Sequence, residues 1–434
     1  RRDKSTTLPE GDNSYFYPAV AANFVFSNAL EIPWLSLGKI RANYAEVGND
    51  APALSLLDVY DKPDSYGNIP LFSLPNIKNN EDLKPERSKS FEAGLEAEFF
   101  NSLFGIDFTW YDTRTVDQII PVSTTAATGY TQRFVNAGEV VNKGIEVAAF
   151  VTPVQTQDIT WTVNLNFSRN RNEVLSLYQD VQNIPLQNFQ GGVSLNAAVG
   201  YPYGVIRGND FVYTNGERTV GANGYYLVTP GANNIIGDPN PDWLGGINNT
   251  LTVKGITLGF LIDIRKGGDV FSLDQWYGEA TGLYPHTAGL NDKGNPSRLP
   301  VAEGGGILLG GVKEDGTPND IYAENQDGNG LTPFGYAAND FLGAPRAWYV
   351  YDGSFVKLRE VALSYALPQT LIENIGFIKG VDLQLIGRNL WIIHKNMEFS
   401  DPEEGISSGN AGRGYQSGAY PAVKTYGFNV RLNF

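Results

Sequence analysis

The amino-acid sequence predicts an all-β fold, an antiparallel transmembrane β-barrel with short periplasmic turns and long extracellular loops. Three observations carry that expectation. The chain ends in strict alternation, with Tyr426, Phe428, Val430, Leu432 and Phe434 on one face and Gly427, Asn429, Arg431 and Asn433 on the other. Period-two alternation marks a strand with one apolar face, and aromatics near both ends suit a segment that runs from one membrane–water interface to the other. A second segment repeats the pattern as a hairpin. Ile247, Leu251 and Val253 alternate with Asn248, Thr250 and Thr252, and a Lys254-Gly255 turn follows. Then Ile256, Leu258, Phe260, Ile262 and Ile264 alternate with Thr257, Gly259, Leu261, Asp263 and Arg265, the signature of a two-residue β-turn between strands. Asn249 alone interrupts the apolar face. The third observation is the connections, which alternate short and long as in outer-membrane barrels.

In chain order, the other candidate strands are Tyr15–Phe26, Leu37–Val47, Ser88–Phe100, Gly105–Ile120, Glu139–Val151, Ile159–Arg169, Ser354–Leu367 and Val381–Ile392. With the three above they make about eleven, each near the roughly ten residues that a tilted membrane strand needs. Within Phe355–Tyr365 the alternation changes phase, which predicts a bulge. The short connections are Asn101–Phe104, Thr152–Asp158 and Lys254-Gly255, with Asn28–Ser36 and Pro368–Gly380 somewhat longer. The long ones are Gly48–Arg87, Asn170–Leu244, Lys266–Gly353 and His394–Ala422, with Pro121–Gly138 intermediate. If the C-terminus is periplasmic, every short connection falls on that side and every long one outside. A soluble sandwich also buries one face of each strand, so connection lengths separate the two readings where periodicity does not. Structureless loops this long count against a compact soluble domain. Single-chain bacterial barrels have an even strand number, so an odd count predicts further strands upstream.

Composition narrows the function. The chain of 434 residues has no cysteine, one methionine (Met397) and two histidines, His286 and His394, without ligand-like spacing. Thiol chemistry is excluded, and a histidine metal site or catalytic triad is disfavoured. A net charge of −15 argues against a nucleic-acid partner, which needs a basic surface. No apolar run is long enough for a membrane helix, but a barrel strand is half polar and escapes a hydropathy scan. The opening Arg1-Arg2-Asp3-Lys4-Ser5-Thr6-Thr7 lacks the apolar core of a signal peptide, which predicts processing or an incomplete chain.

A set of motifs spread along the chain is similar to the SusC-like (SusC/RagA-type) TonB-dependent transporters of Bacteroidetes outer membranes. They are Tyr17-Pro18-Ala19-Val20, Lys39-Ile40-Arg41-Ala42-Asn43-Tyr44, the run Leu83-Lys84-Pro85-Glu86-Arg87-Ser88-Lys89-Ser90-Phe91-Glu92-Ala93-Gly94-Leu95, and Asn136-Ala137-Gly138-Glu139 with Asn142-Lys143-Gly144-Ile145-Glu146. Further on come Tyr201-Pro202-Tyr203-Gly204, Pro241-Asp242-Trp243-Leu244-Gly245-Gly246, Phe355-Val356-Lys357-Leu358-Arg359-Glu360 and Gly387-Arg388-Asn389-Leu390-Trp391. The resemblance implies a plugged barrel of about 22 strands, with residues 1–434 forming the C-terminal part of one barrel domain. The plug, the TonB-contacting segment and the first strands are then absent from this chain. It further implies import of a large nutrient, glycan or oligopeptide, driven through TonB, with a SusD-like surface lipoprotein as lid and outer-membrane lipid around the barrel. A siderophore or cobalamin receptor is the nearest alternative, a passive porin a further one, and a secreted β-rich adhesin or polysaccharide-binding protein the alternative from another class.

Catalytic chemistry is not expected, and no cofactor is implied. Carboxylate-rich stretches such as Glu314-Asp315 and Asp401-Pro402-Glu403-Glu404 read as solvated loop. Asn325, Asp327, Asn329 and Gly330 resemble the start of a calcium loop, but Tyr336 stands where its bidentate glutamate belongs. Glu303-Gly304-Gly305-Gly306 reads as flexible loop, because no lysine follows to cradle a phosphate. The loop aromatics carry more: Tyr201, Tyr203, Phe211, Tyr213, Tyr225, Tyr226, Trp276, Tyr277 and Tyr284, with Asp210 and Asp274 nearby. Flat apolar faces beside carboxylates suit sugars and peptides. Tyr201, Tyr203, Asp210, Tyr213, Trp276 and Tyr277 are therefore the expected ligand contacts, against the plainer reading that such rings pack the loops or form an interfacial girdle. The expected lipid-facing set is Ile256, Leu258, Phe260, Ile262, Tyr426, Phe428, Val430, Leu432 and Phe434.

Overall fold

Eleven strands form one continuous antiparallel sheet in which each strand pairs with its neighbours in sequence. The computed structural model describes all residues except 31, 180, 327–331, 335–343, 373–375, 406–411 and 419. The strands are β1 (Ala19–Val25), β2 (Leu35–Asn49), β3 (Glu86–Phe99), β4 (Phe104–Val116), β5 (Glu139–Gln155) and β6 (Ile159–Ser176), then β7 (Pro241–Val253), β8 (Ile256–Gly267), β9 (Phe355–Ala366), β10 (Gly380–Lys395) and β11 (Thr425–Asn433). This is the expected architecture, short turns at one end and long connections at the other.

Two expected strands are cut short. Tyr15–Phe26 divides at Pro18, which has no N–H to give to a ladder. Ser14–Phe16 pairs instead with Arg2–Lys4, and only Ala19–Val25 joins the sheet. Gly105–Ile120 breaks at Asp117, whose φ of 58° turns the chain, and Ile119–Ser123 pairs with Gln132–Asn136 in a separate small sheet. Others run longer than expected: β5 has 17 residues and β6 has 18, beyond the roughly ten that a membrane crossing needs.

Register aligns the side chains into rows. One row reads Ala97, Ile106, Ala149, Leu165, Ile247, Ile262, Leu358 and Trp391 from β3 to β10. Trp161, Leu251, Leu258, Leu363, Leu385 and Phe428 form another row on the same face. Asn249 interrupts this face, and the Trp161 indole donates to its Oδ1 at 3.3 Å. The opposite face carries Glu96, Asp107, Ala148, Asn166, Gly246, Asp263 and Lys357 in register. The Lys254-Gly255 turn has φ of 46° and 84°, the positive pair that a tight hairpin turn requires.

The polar face is concave. One cavity of about 880 Å³ touches both Arg41 on β2 and Arg388 on β10. Nine strands in a flat sheet would put the outer two about 38 Å apart at the usual strand spacing, so the sheet curls around this space. The predicted bulge lies at the same height. Register shifts between Leu261 and Ile262 of β8 and between Leu358 and Glu360 of β9 turn both Arg359 and Glu360 towards the cavity.

The long connections are not structureless. The one between β6 and β7 builds a four-stranded sheet from Asn183–Phe189, Val193–Ala198, Val205–Gly208 and Asn234–Gly237. The connections after β6, β8 and β10 then share a core around Val193, Leu195, Phe271, Trp276, Tyr349 and Tyr415. A buried bond from Ser272 Oγ to Gln416 Oε1, 2.5 Å long, crosses between two of them. The glycine run Gly304-Gly305-Gly306, expected as flexible loop, is a tight turn. Asn291 and Asn295 donate to the Gly304 carbonyl, and a Cβ on Gly305 would fall 1.9 Å from the Leu299 oxygen.

Candidate functional site

The alternation that makes one face apolar leaves the concave face polar, and its charges sort into two clusters. On β2–β4, Lys39 pairs with Glu96 at 3.0 Å, and Arg41 holds Asp107 with its two terminal nitrogens at 2.5 and 3.1 Å. Gly94 makes room for that guanidinium, since a Cβ there would lie 2.6 Å from Arg41 Nε. On β8–β10, Arg359 pairs with Asp263 at 2.7 Å and Arg388 with Glu360 at 2.9 Å. Lys357, only 4% exposed, is held by Asp401 and Glu403 of the last long connection, each at 2.5 Å. Arg359 reaches Glu403 as well. Burial alone would raise the Glu403 carboxyl, but the hydrogen bonds from Arg359 and Lys357 outweigh it and hold it below the usual range.

Between the clusters the concave face of β6 carries no charge, although Glu146 of neighbouring β5 lies opposite Ser168 and lines the central cavity. The concave residues of β6 are Thr160, Thr162, Asn164, Asn166, Ser168, Asn170 and Asn172, and Asn248 of β7 pairs with Asn164. Asn170 donates to Asn142 Oδ1 at 3.2 Å and accepts from the Tyr111 phenol at 3.0 Å. The phenol lies over Gly144, where a Cβ would be 2.4 Å from its oxygen.

A roof of loop residues meets this wall. Tyr203, Gly204, Pro239 and Asn240 enclose a cavity of about 360 Å³ with Gln118, Asn142, Asn170, Asn172 and Arg413. The Tyr203 N–H donates to Asn172 Oδ1 at 2.5 Å, and Asn240 donates to the Tyr203 carbonyl at 3.2 Å. Burial raises the Tyr203 phenol above its ordinary value.

The expected ligand contacts divide by exposure. Tyr201, Tyr213 and Tyr277 are 49%, 52% and 37% exposed and offer ring faces to solvent. Tyr203 packs against the cluster of Val140, Val174 and Ala197. Trp276 is buried in the shared loop core with the Arg346 guanidinium over its ring at 4.9 Å. Its ring is therefore closed to stacking by a ligand, a correction that follows from the loops having a core. Asp210 stays local: its Oδ1 accepts from the Phe211 N–H at 2.7 Å. Phe211 and Tyr225 are core residues, and Asp274 accepts from the Gly418 N–H. The rings spread over several groups, around Val174, around Phe211 with Arg218, around Phe271 and at Tyr284 with Phe399, with Trp348 joining the second and third.

Of the calcium-like residues, Asp327, Asn329, Gly330 and Tyr336 lie outside the described residues. Asn325 is committed to Thr287, Ser297 and Thr332, and no group of three potential metal ligands occurs among the described residues. The concave amides and ion pairs were not singled out as a site from sequence, although their signal is there: they are the polar members of the alternation.

The expected lipid contacts lie together on the convex face. Ile256, Leu258, Phe260 and Ile262 continue across β9 as Tyr365, Leu363, Val361 and Leu358. Tyr426, Phe428, Val430 and Leu432 pair with Gly387, Leu385, Leu383 and Val381. Phe434 stacks on Phe377 at 6.2 Å.

A curled sheet that is apolar outside, ion-paired inside and roofed by folded loops defines an outer-membrane β-barrel. Residues 1–258 match the family described as TonB dependent receptor-like, beta-barrel, and the chain belongs to that family. It is 25% identical to TonB-dependent receptor P3 of Formosa agariphila over 469 residues, covering 100% of this chain and 43% of that protein. It is 33% identical over 102 residues to TonB-dependent receptor SusC of Bacteroides thetaiotaomicron, covering 23% of this chain and 10% of SusC. A solved structure of the RagAB peptide transporter superposes with a TM-score of 0.74 at 22% identity, over 100% of this chain and 45% of that one. The chain thus spans under half the length of the full-coverage relatives. The SusC/RagA-type resemblance and the outer-membrane location follow from these matches.

Proposed function

We propose that this chain forms the C-terminal wall of a TonB-dependent importer for a large nutrient, a glycan or an oligopeptide. The observation that carries the reading is the continuous polar concave face, from the loop-roofed cavity at Tyr203 down to Glu98 and Asn248. A pore wall of that kind is wasted on a structural barrel. Among the described residues the two sheet edges, β1 and β11, have no partner strand, and in this reading the rest of a longer barrel completes them. Ile256, Leu258, Phe260, Ile262, Tyr426, Phe428, Val430, Leu432 and Phe434 face lipid. Tyr201, Tyr213 and Tyr277 meet ligand or a SusD-like lipoprotein lid that closes over the loops.

The test is uptake by cells carrying the whole transporter. Import requires the proton-motive force and TonB, while surface binding survives without them. A surface lipoprotein copurifies from native membranes in near-equal amount. Import at the normal rate in cells lacking TonB function would make the protein a pore and end the proposal.

A further inference from the structure

The convex face changes character between two neighbouring rows of side chains. Read from β3 to β8, the row Leu95, Phe108, Val147, Phe167, Gly245 and Ile264 is apolar throughout. Two residues nearer the long connections, the row reads Ala93, Trp110, Ile145, Arg169, Trp243 and Lys266. The two charges in it are cations, one on each side of Trp243. That indole packs on Phe167 at 5.7 Å, and tryptophan at the edge of an apolar band marks the level of the lipid headgroups. The neighbouring carboxylates Asp112, Asp242, Asp352 and Glu173 all stand farther from the band. Arg169 is exposed and has no ion pair or side-chain hydrogen bond among the described residues. Arg171 follows it on the same face, with Lys143 directly opposite Arg171 on β5. Lys143 holds Asp112 at 3.1 Å on one side, and Arg171 holds Asp242 at 2.6 Å on the other. β6 is the sixth of the eleven strands and this is its outer surface, so neither the open sheet edges nor the lumen sets the exposure.

We infer that Arg169, with Arg171 and Lys143, binds the phosphate of a phosphorylated lipid headgroup in the outer leaflet. The inference needs the barrel and its membrane but not the importer reading above. Like charges directly opposite on a strand pair repel, so Lys143 and Arg171 are better placed with an anion beside them. Two arginines at alternate positions stand about 6.6–6.8 Å apart, close enough for both long side chains to reach one phosphate. A guanidinium matches phosphate oxygens with two parallel hydrogen bonds, and lysine adds a point charge. Exposed ion pairs contribute little, so Lys143 and Arg171 turn from their carboxylates to a phosphate at small cost. A free anion would meet only these charges. A lipid also lays its acyl chains on Phe167, Leu165 and Val147 directly below, and this continuity with the lipid-facing surface selects the lipid as occupant.

The test places the full-length transporter in phosphatidylcholine vesicles doped with lipid A, or with the same lipid stripped of its phosphate. After extraction and washing in detergent, mass spectrometry measures the lipid retained per protein. The unaltered protein retains the phosphorylated lipid in preference. Arg169→Gln lowers that retention about fivefold, the worth of one basic residue at an anionic lipid surface, and Arg169→Lys keeps most of it. Arg169→Gln with Lys143→Gln lowers it about 25-fold on the same scale, and neither variant changes retention of the stripped lipid. Equal retention of the two lipids by the unaltered protein, or unchanged retention in the double variant, overturns the site. Displacement of the lipid by an equal concentration of inorganic phosphate overturns the lipid assignment. A shift between monomer and dimer in the double variant, with lipid retention intact, gives the face to a second copy and overturns it as well. Should the glutamine variants not insert, photoreactive lipid A on the unaltered protein provides a second route. Crosslinks within residues 164–173 are expected, and crosslinks confined to other strands overturn the proposal. Uptake enters none of these readouts, so the site can fail while the importer reading stands.

Discussion

Lys357 Nζ lies 2.5 Å from Asp401 Oδ1, and both side chains are under one tenth exposed. The pair ties a barrel strand to the last long connection across 44 positions of sequence. Removing one partner of a buried pair strands the other in a poorly solvated place, a cost of about 3–5 kcal/mol. Lys357→Met should therefore destabilise the protein by about that much in urea refolding into lipid vesicles. Lys357→Met combined with Asp401→Asn should recover a good part of the loss. Equal stability of the single variant and the unaltered protein would show that the pair carries nothing.

The facing of β8 gives a second measurement. Phe260 sits on the convex face between Asn249 and Val361. Thr257 is on the concave face, with its hydroxyl 2.9 Å from that of Thr252. Phe260→Arg should cost about 2–4 kcal/mol if the residue lies near the bilayer midplane. Thr257→Arg should cost much less, because its side chain reaches water. Similar costs for both in vesicle refolding would mean that the convex face does not meet lipid.

The barrel wall was legible in the sequence because a strand's environment is written with a period of two residues. Even the departure at Phe355–Tyr365 was readable, since a phase change in alternation has one structural meaning, a bulge. The concave site was legible in the same way, as the polar partner of each apolar residue. The roof was not. Tyr201 and Tyr203 have the same chemistry and nearly the same position, yet Tyr201 is exposed while Tyr203 is partly buried against a core cluster. The difference comes from Asn172, 31 positions away, which accepts the Tyr203 N–H. Trp276 likewise owes its burial to Arg346 and Tyr415, contacts with no local signature. The limits of β1 and β4 were missed for a smaller reason: Pro18 and Asp117 redirect the backbone without breaking the apolar pattern.

The two tyrosines therefore separate binding from folding. Tyr203→Ala removes a ring packed against a buried cluster and should destabilise the protein by about 2–4 kcal/mol. Tyr201→Ala removes an exposed ring and should leave stability within about 0.5 kcal/mol. Any loss of ligand binding in Tyr201→Ala then reports contact rather than misfolding. A large stability loss in Tyr201→Ala, measured by urea refolding, would refute this division.

His286 supplies a pH-dependent contact in the roof. Its Nε2 lies 3.1 Å from Oε1 of Glu279, a carboxylate that is 4% exposed at the end of the helix Leu273–Ala280. Among the described residues the other oxygen, Oε2, has no hydrogen-bond partner, so that carboxylate leans on the imidazolium. Tyr284 stacks on Phe399 of the last connection at 4.1 Å, and His286 stands beside both rings. The bond to Glu279 raises the His286 pKa, burial opposes it, and the charges of Glu279 and Glu398 add to the rise. A pKa raised in the folded state gives a contribution that is fully present below the unfolded value of about 6.5 and lost as pH rises through the folded one. The imidazole is 42% exposed, so the effect is local rather than global. Amide-exchange protection of residues Tyr284–Ala288, corrected for the intrinsic rate, should fall as pH rises through that window. His286→Gln keeps a donor for Glu279 but cannot titrate, and its protection should be flat over the same range. Protection that varies equally in both proteins would assign the pH dependence to another group and remove His286 from this role.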